Sequence, residues 1–519
     1  MSERRVVVIG AGMAGLVATL SLAARGVAVT CLERAAAPGG KMREVTVDGV
    51  PIDSGPTVLT MRWVFEAILA DLGLKLSDHV TLTRAQILAR HSWDGGAGLD
   101  LFADRDRSRD AIGAFAGAEE ARGYERFCAD ARRIYETLRG PFIEAPSPSL
   151  PRLVAAHGIG GLPDLLAIRP FTGLWSALGG YFRDPRLRQL FGRYATYCGS
   201  SPFRAPATLM LVAHVENEGV SYVEGGMHRL AQALAGLAQA RGARLRYGTE
   251  VRSIDVVGGR VAGVTLADGE RIACDAVVAA GDVAGVAAGL LGERPRRAVP
   301  RLPRSARSLS ALTWSMRATA GGFPLVRHNV FFSRDYAAEF DDIDRAGRLP
   351  GEPTVYVCAQ DRTDEAAASG PERLFCLVNA PARADEAPLT PEEIERCRIS
   401  TFALLARQGL SLEHKPEATV TTGPAEFARL FPGTGGALYG RASHGWRASF
   451  QRPGSRTRLP GLYLAGGSVH PGPGVPMAAL SGRSAASSIL ADFASTSRFP
   501  RTAMSGGTST PSATTGGTG

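Results

Sequence analysis

The stretch RRVVVIGAGMAGLVATLSLAARGVAVTCLER, residues 4–34, decides the fold. Val6, Val7, Val8 and Ile9 form an apolar β-branched run, too short for a helix and closed by glycine. Such a run predicts a strand buried on both faces. Gly10-Ala11-Gly12-Met13-Ala14-Gly15 follows. Gly10 permits a sharp turn, Gly12 lets backbone approach a pyrophosphate, and Gly15 lets helix and strand pack closely. Met13 to Ala24 is rich in Ala and Leu and predicts a helix whose first N–H groups face phosphate oxygens. Arg25-Gly26 ends it, and Val27 to Leu32 forms a second strand that delivers Glu33, a carboxylate able to accept from ribose hydroxyls. A glycine triplet alone is weak evidence, because packing turns contain it too. Here strand, helix, second strand and acid all fall in the register of a dinucleotide-binding βαβ unit.

The surrounding 519 residues are 45% hydrophobic and 21% charged, the make-up of an ordinary globular protein with room for two interleaved domains or three. Seven scattered cysteines include no CxxC pair and no zinc-like Cys/His spacing, so neither a metal nor a disulfide framework is expected. The odd count suits a reducing cytoplasm. No signal peptide is expected ahead of Val6, and no apolar run approaches the roughly 18 residues of a membrane span. The net charge of +9 is uneven: Arg294, Arg296, Arg297, Arg301, Arg304 and Arg307 crowd among Pro295, Pro300 and Pro303. A solvated linker is the plainer reading, anionic lipid headgroups the functional one. Nucleic acid is not expected, since no recognition motif or aromatic-basic platform accompanies the arginines.

Downstream of Glu33 and Arg34, Pro38-Gly39-Gly40-Lys41-Met42-Arg43 reads as a loop with backbone free to meet a cofactor. Arg43 to Ile52 reads as a hairpin turned at Asp48-Gly49. Asp53-Ser54-Gly55-Pro56-Thr57 is a second glycine turn, either purely structural or one that approaches a flat ring. An amphipathic helix is expected over Trp63 to Leu72. Residues 91–212 break the βα rhythm and carry helical stretches such as Gly123 to Arg139 and Ala177 to Tyr197. Leu150 to Leu174 is apolar yet studded with Gly and Pro, so a buried cover over a pocket and a surface that dips into a membrane both fit. Strands are expected over Val251 to Val256, Val261 to Leu266, Arg271 to Cys274 and Asp275 to Ala280. Further strands are expected near Ser310 to Arg317, Thr354 to Val357 and Leu374 to Asn379. Thr390-Pro391-Glu392-Glu393 predicts a capped helix start. Leu459 to Leu480 reads as strand, glycine loop and helix start, with the Val475–Met477 amides placed to stabilise electron density.

GAGMAGL, ER, PGGKMR and DSGPT together resemble the N-terminal half of the flavoprotein amine oxidase and phytoene desaturase superfamily. In that group these motifs hold the FAD pyrophosphate, ribose and isoalloxazine edge. Lys41 departs from the pattern, since Arg is commoner after the double glycine. Leu459–Leu480, with Gly466, Gly467, Ser468, His470, Val475, Pro476 and Met477, is similar to the flavin-contacting signature of bacterial-type carotenoid desaturases. Tyr194 to Phe203 and Tyr439 to Trp446 resemble the hydroxyneurosporene (methoxyneurosporene) desaturase branch. The resemblance spans roughly residues 4–493.

It implies an α/β fold in which a Rossmann-type FAD-binding domain (1–90, 213–282 and 439–499) is interleaved with an α+β substrate domain (91–212 and 283–438); residues 500–519, rich in Ser, Thr and Gly and without aromatics, are expected to be a disordered tail from their composition. It implies FAD held by Gly10, Gly12, Met13, Ala14, Gly15, Glu33, Arg34, Gly40, Lys41, Met42, Gly55, Pro56, Thr57, Val251, Gly466, Gly467, Ser468, Val475, Pro476 and Met477, with Val251 meeting adenine through its backbone. The implied activity is hydride transfer from an acyclic hydroxylated carotenoid, at its 3,4 bond, to flavin that a quinone or oxygen reoxidises. A phytoene desaturase or carotenoid isomerase, an amine or protoporphyrinogen-type oxidase, and a non-enzymatic prenyl-lipid-binding relative are the alternatives. Glu224 and His470 are the candidate catalytic groups, with His228 and His444 behind them. The expected location is cytoplasmic, at the inner membrane surface.

Overall fold

The structure, a computed structural model, describes residues 4–158, 165, 167–363 and 370–498. The expected tail over 500–519, and Ile159, Leu162 and Leu166 of the apolar cover, lie outside the described residues. Strand Arg5–Ile9 sits at the centre of a five-stranded sheet. Its order is Leu462–Leu464, Ala276–Ala279, Arg5–Ile9, Ala28–Leu32, Arg244–Arg246, with all neighbours parallel. The two-residue period of a strand divides its side chains between two cores. Val6 and Val8 join Leu16, Leu230 and Leu480, from the helices Met13–Ala23, His228–Ala240 and Val475–Arg498. Val7 faces the other way, onto Val264 of an antiparallel meander built from Val251–Val257, Arg260–Leu266 and Arg271–Ala273.

Helix Met13–Ala23 is buried along all 11 of its residues. Two glycines make that enclosure possible. A Cβ on Gly15 would stand 1.9 Å from the Gly10 carbonyl oxygen, and one on Gly482 would stand 2.2 Å from that of Ala14. The hairpin of Glu44–Val47 and Val50–Asp53 turns where the sequence indicates, with Asp48 and Gly49 both at positive φ as a two-residue type I′ turn demands.

A second sheet has seven strands, ordered Leu410–Thr422, Ser310–Gly322, Glu372–Ala380, Val355–Ala359, His328–Phe331, Ile87–Ser92, Gly98–Phe102. Leu374, Cys376 and Val378 pack with Leu404 and Leu405 of the helix Pro391–Arg407. Phe375, Leu377 and Asn379 alternate onto the opposite face and line a cavity. The helix itself starts at the Thr390 cap that its sequence predicts, and Glu393 closes it into a capping box.

Three expectations change. Residues 91–102, read as the start of a helical block, complete this sheet instead: Ile87–Ser92 runs parallel to His328–Phe331 and antiparallel to Gly98–Phe102. The helical stretch over Ala177 to Tyr197 is broken into Leu174–Leu178, Pro185–Gly192 and a 3₁₀ turn, Arg193–Cys198. Gly179-Gly180 stop the first piece, and the Asp184 carboxylate, accepting from the Arg186 N–H at 2.8 Å, caps the next. The arginine run, read as a solvated linker, keeps Arg294, Arg297, Arg301 and Arg304 exposed but includes the short helix Glu293–Ala298, and four of its six arginines are paired. Arg296 and Arg297 pair with Glu293, Arg304 with Glu386, and Arg307 with Asp385 at 2.6 Å.

Candidate active site

Both sheets and the helical layer wall a predominantly apolar cavity of about 1110 Å³. That lies just above the roughly 300–1,000 Å³ of ordinary small-ligand pockets. Gly10, Gly12, Met13, Ala14, Glu33, Arg34, Gly40, Lys41, Met42, Gly55, Pro56, Thr57, Val251, Gly466, Gly467, Ser468, Val475, Pro476 and Met477 all line it. Gly15 does not, and serves the helix–strand contact behind the wall.

Local sequence explains this convergence. Gly12 caps helix Met13–Ala23 without any side-chain hydrogen bond, so the helix start presents backbone N–H groups to the cavity. The loop Gly39–Met42 is stitched onto that turn, the Gly39 N–H donating to the Ala11 carbonyl at 2.9 Å. Glu33 is fixed at the end of its strand by the N–H groups of Ala11 and Ala35, at 2.7 and 2.8 Å. The Thr249 N–H donates to the Glu33 carbonyl at 2.8 Å, which brings Val251 to the same end of the cavity.

At the C-terminal loop two cations meet the wall. Lys41 donates to the Leu438 carbonyl, lies 3.9 Å from Asp282 and stands over the Phe431 ring. Burial lowers its pKa, and Asp282 opposes the shift. Arg452 is buried and donates to the carbonyls of Tyr439 and Gly467, both at 3.1 Å, and to that of Arg441. Burial brings its pKa down to about 10. The Ser468 hydroxyl accepts from the Val283 N–H at 3.0 Å and holds the neighbouring loop. An open helix start, an acceptor carboxylate in the wall and two cations beside a glycine turn are a set of groups that suits FAD, anionic at its pyrophosphate and electron-rich when reduced.

The rest of the wall comes from the seven-stranded sheet and the helical cover, and carries two polar chains. The Tyr356 hydroxyl lies 2.7 Å from Thr57 Oγ1 and 2.7 Å from His328 Nδ1. Burial pushes His328 down to about 3, so it stays neutral and adds no charge to the wall. Arg193, from the 3₁₀ turn, donates to the Tyr197 hydroxyl at 2.7 Å. Tyr194 and Tyr197 both donate to Glu216, on the helix Leu211–Glu218.

The two candidate catalytic residues stand elsewhere. Glu224 is exposed and absent from the cavity wall, and its N–H donates to the Thr81 carbonyl. His470 is buried behind the wall, its Nε2 2.8 Å from the Phe142 carbonyl and its ring edge-on to Phe142. It pins the glycine loop to the helical cover. His228 ties its helix start to the Met42 carbonyl at 2.9 Å, and His444 Nε2 accepts from the Ser201 N–H at 3.1 Å. Neither lines the cavity. Sequence reasoning missed Arg452, His328, Tyr356 and the role of Glu216. An acid directly after the largely apolar run Leu209–Val215, downstream of the paired tyrosines 194 and 197, was the one signal available.

The chain matches the flavin containing amine oxidoreductase family over residues 13–490. It is 57% identical to the hydroxyneurosporene desaturase of Rubrivivax gelatinosus, covering 100% of this chain and 99% of that protein. It is 46% identical to that of Rhodobacter capsulatus over 95% and 98% of the two chains. Among solved structures, an oxidoreductase from Methanosarcina mazei superposes with a TM-score of 0.59 at 17% identity, covering 94% of this chain and 100% of that one. A putrescine oxidase superposes at 0.57 and 15%, over 94% and 99%. These two likenesses speak for the fold alone. Cofactor wall, fold and full-length similarity converge: the chain belongs to the flavin-containing amine oxidoreductases, in their carotenoid-desaturase branch, and uses FAD.

Proposed function

We propose that this protein is a carotenoid desaturase that introduces a carbon–carbon double bond into an acyclic hydroxylated or methoxylated carotenoid, at the 3,4 bond of a 1-hydroxyneurosporene-like chain. One observation carries the reading: a single cavity joins the cofactor motifs to a long apolar wall from the seven-stranded sheet and the helical cover. The names of the full-length relatives support it. Bound FAD supplies the hydride acceptor that no side chain offers. Gly10, Gly12 and the first turn of helix Met13–Ala23 would hold its pyrophosphate, Glu33 and Val251 its adenosine end, and Thr57 with the Gly466–Met477 loop its ring. Lys41 and Arg452, which line the same wall, would favour electron density on a ring bound there. Phe375, Leu377 and Val330 orient the polyene and exclude water. The reoxidant would be a quinone or oxygen.

The test is an anaerobic mixture of holoprotein with 1-hydroxyneurosporene in liposomes. Flavin bands bleach while the carotenoid bands move to longer wavelength. Flavin that stays oxidised with this polyene but bleaches with an amine overturns the assignment in favour of an amine oxidase.

Peripheral membrane contact belongs to the same proposal. No helix among the described residues is long and apolar enough to cross a membrane. Phe171 is 78% exposed and packs edge-on against Trp446, which lines the cavity and lies under Arg447. Leu150 and Val154 are exposed on the helix Leu150–His157. An apolar substrate reaching the cavity from a bilayer would meet such a surface first. Phe171→Asp is expected to lower binding to anionic vesicles about tenfold or more, from the lost burial of one aromatic ring. A wild-type protein that does not sediment with vesicles removes the idea.

A further inference from the structure

We propose that Glu216 and Tyr197 form the subsite that binds the substrate's hydroxyl group, and so select a hydroxylated polyene over the plain hydrocarbon. This rests on the desaturase reading above. The starting point is a mismatch between wall and cargo. An apolar cavity that served only a hydrocarbon would have no use for a buried ionisable cluster, which is costly to bury unless it is satisfied. Arg193 and Glu216 are nevertheless buried in the wall, joined through Tyr197.

Hydrogen-bond accounting shows capacity left over. An ionised carboxylate offers about four acceptor sites, and Glu216 receives two donors here, from Tyr194 and Tyr197. The Tyr336 hydroxyl and the Arg193 Nε, on residues lining the same cavity, are buried without a partner. Tyr197 is 38% exposed although it lies inside the protein as a lining residue, so its open surface faces the cavity. The cluster is part of the wall and not hidden behind it. A tertiary alcohol entering here would donate to Glu216, which no hydrocarbon end can do.

Placement ties the subsite to the reacting bond. Arg193 lies within electrostatic reach of His328 and Tyr197 within that of Tyr356. Tyr356 in turn hydrogen-bonds Thr57 of the cofactor motif at 2.7 Å. An alcohol held at Glu216 therefore keeps its neighbouring carbons, not the far end of the polyene, on the cofactor side. That matches desaturation of the 3,4 bond, two carbons from a 1-hydroxyl group.

The experiment compares holoenzyme with its Glu216→Gln and Tyr197→Phe variants on 1-hydroxyneurosporene and on neurosporene. Two quantities are read: the ratio of kcat/KM for the two polyenes, and their relative binding by quenching of protein fluorescence, which needs no turnover. Wild type is expected to favour the hydroxylated chain by about 100-fold or more, as sites built around a hydroxyl do. Each substitution is expected to cut that preference about tenfold. Tyr197→Phe keeps the ring in place and covers the case in which the Glu216 variant does not fold. Equal losses on both polyenes, with the preference unmoved, overturn the subsite and leave the cluster as a brace between helix Leu211–Glu218 and the Arg193–Cys198 turn. A wild type that converts and binds both polyenes equally overturns it while the desaturase reading stands. A wild type that converts neither sinks the desaturase reading, and the quenching titration alone then decides the subsite.

Discussion

Gly15→Ala yields a protein that purifies without flavin and melts far below the parent. The new methyl carbon would stand 1.9 Å from the Gly10 carbonyl oxygen, 3.0 Å from the Gly10 carbonyl carbon and 3.1 Å from the Ala280 side chain. Two of these neighbours are backbone atoms of the glycine turn, so no side chain can rotate away. Nor can the helix retreat, because all 11 of its residues are buried and Gly482 brings the C-terminal helix onto its first turn. Overpacking of this kind costs about 3 kcal/mol or more. Any relief moves the helix start from the phosphate-binding position, so flavin content falls with stability. Gly236→Ala is the control. It makes the same change inside helix His228–Ala240, where nothing lies within 4 Å of the added carbon. There it should raise stability by about 0.5–1 kcal/mol through helix propensity. The measurements are flavin absorbance per protein and thermal melting of both variants. A flavin-replete Gly15→Ala protein melting with the parent would show that the helix does not rest on the turn.

What the sequence made legible, and what it hid, follows the range of the interactions. Gly10 to Glu33 could be read because strand, turn, helix and acid are neighbours in the chain and each needs its residue type for a local reason. The Asp48-Gly49 turn and the Thr390–Glu393 capping box are equally local. Glu216 and Glu224 show the opposite case. Beside Gly225-Gly226, Glu224 looked like part of a site. The chain there instead gives its N–H to Thr81 and leaves the carboxylate exposed, while Glu216 is buried by tyrosines on a separate turn. Arg452 left no trace in the sequence, since its partners are carbonyls of residues 439, 441 and 467, which only the fold assembles. The broken helix over 177–197 was a matter of weighing: the stretch reads as helical, and Gly179-Gly180 with Asp184-Pro185 divide it.

Acidification from pH 7 is expected to unfold the protein near pH 4–5, driven by buried histidines. Burial is the first cause in each case. It pushes His91 and His328 down to about 3, and His444 and His470 to about 4, from an ordinary 6.5. Above 6.5 all four are neutral in both states and their contribution to stability is fully present. Below it the unfolded chain takes up protons that the folded chain refuses, and stability drops by about 1.4 kcal/mol per group per pH unit until the folded pKa is reached. Four such groups would remove roughly 5–10 kcal/mol by pH 4.5–5, comparable to the whole stability of a typical fold. Unfolding therefore precedes protonation of the folded histidines. Asp53, Glu216 and Glu339 act the other way, because burial raises their carboxyl pKa values and the folded chain then binds those protons first. They soften the slope. His91→Gln isolates one term. Its side-chain amide can still donate to the Leu99 carbonyl that His91 Nδ1 faces at 3.0 Å, and the site lies off the cavity wall. Denaturant unfolding at several pH values between 7 and 5 should show a slope shallower by about 1.4 kcal/mol per pH unit in this variant. Equal slopes for variant and parent would mean that His91 takes up its proton in the folded state as readily as in the unfolded one.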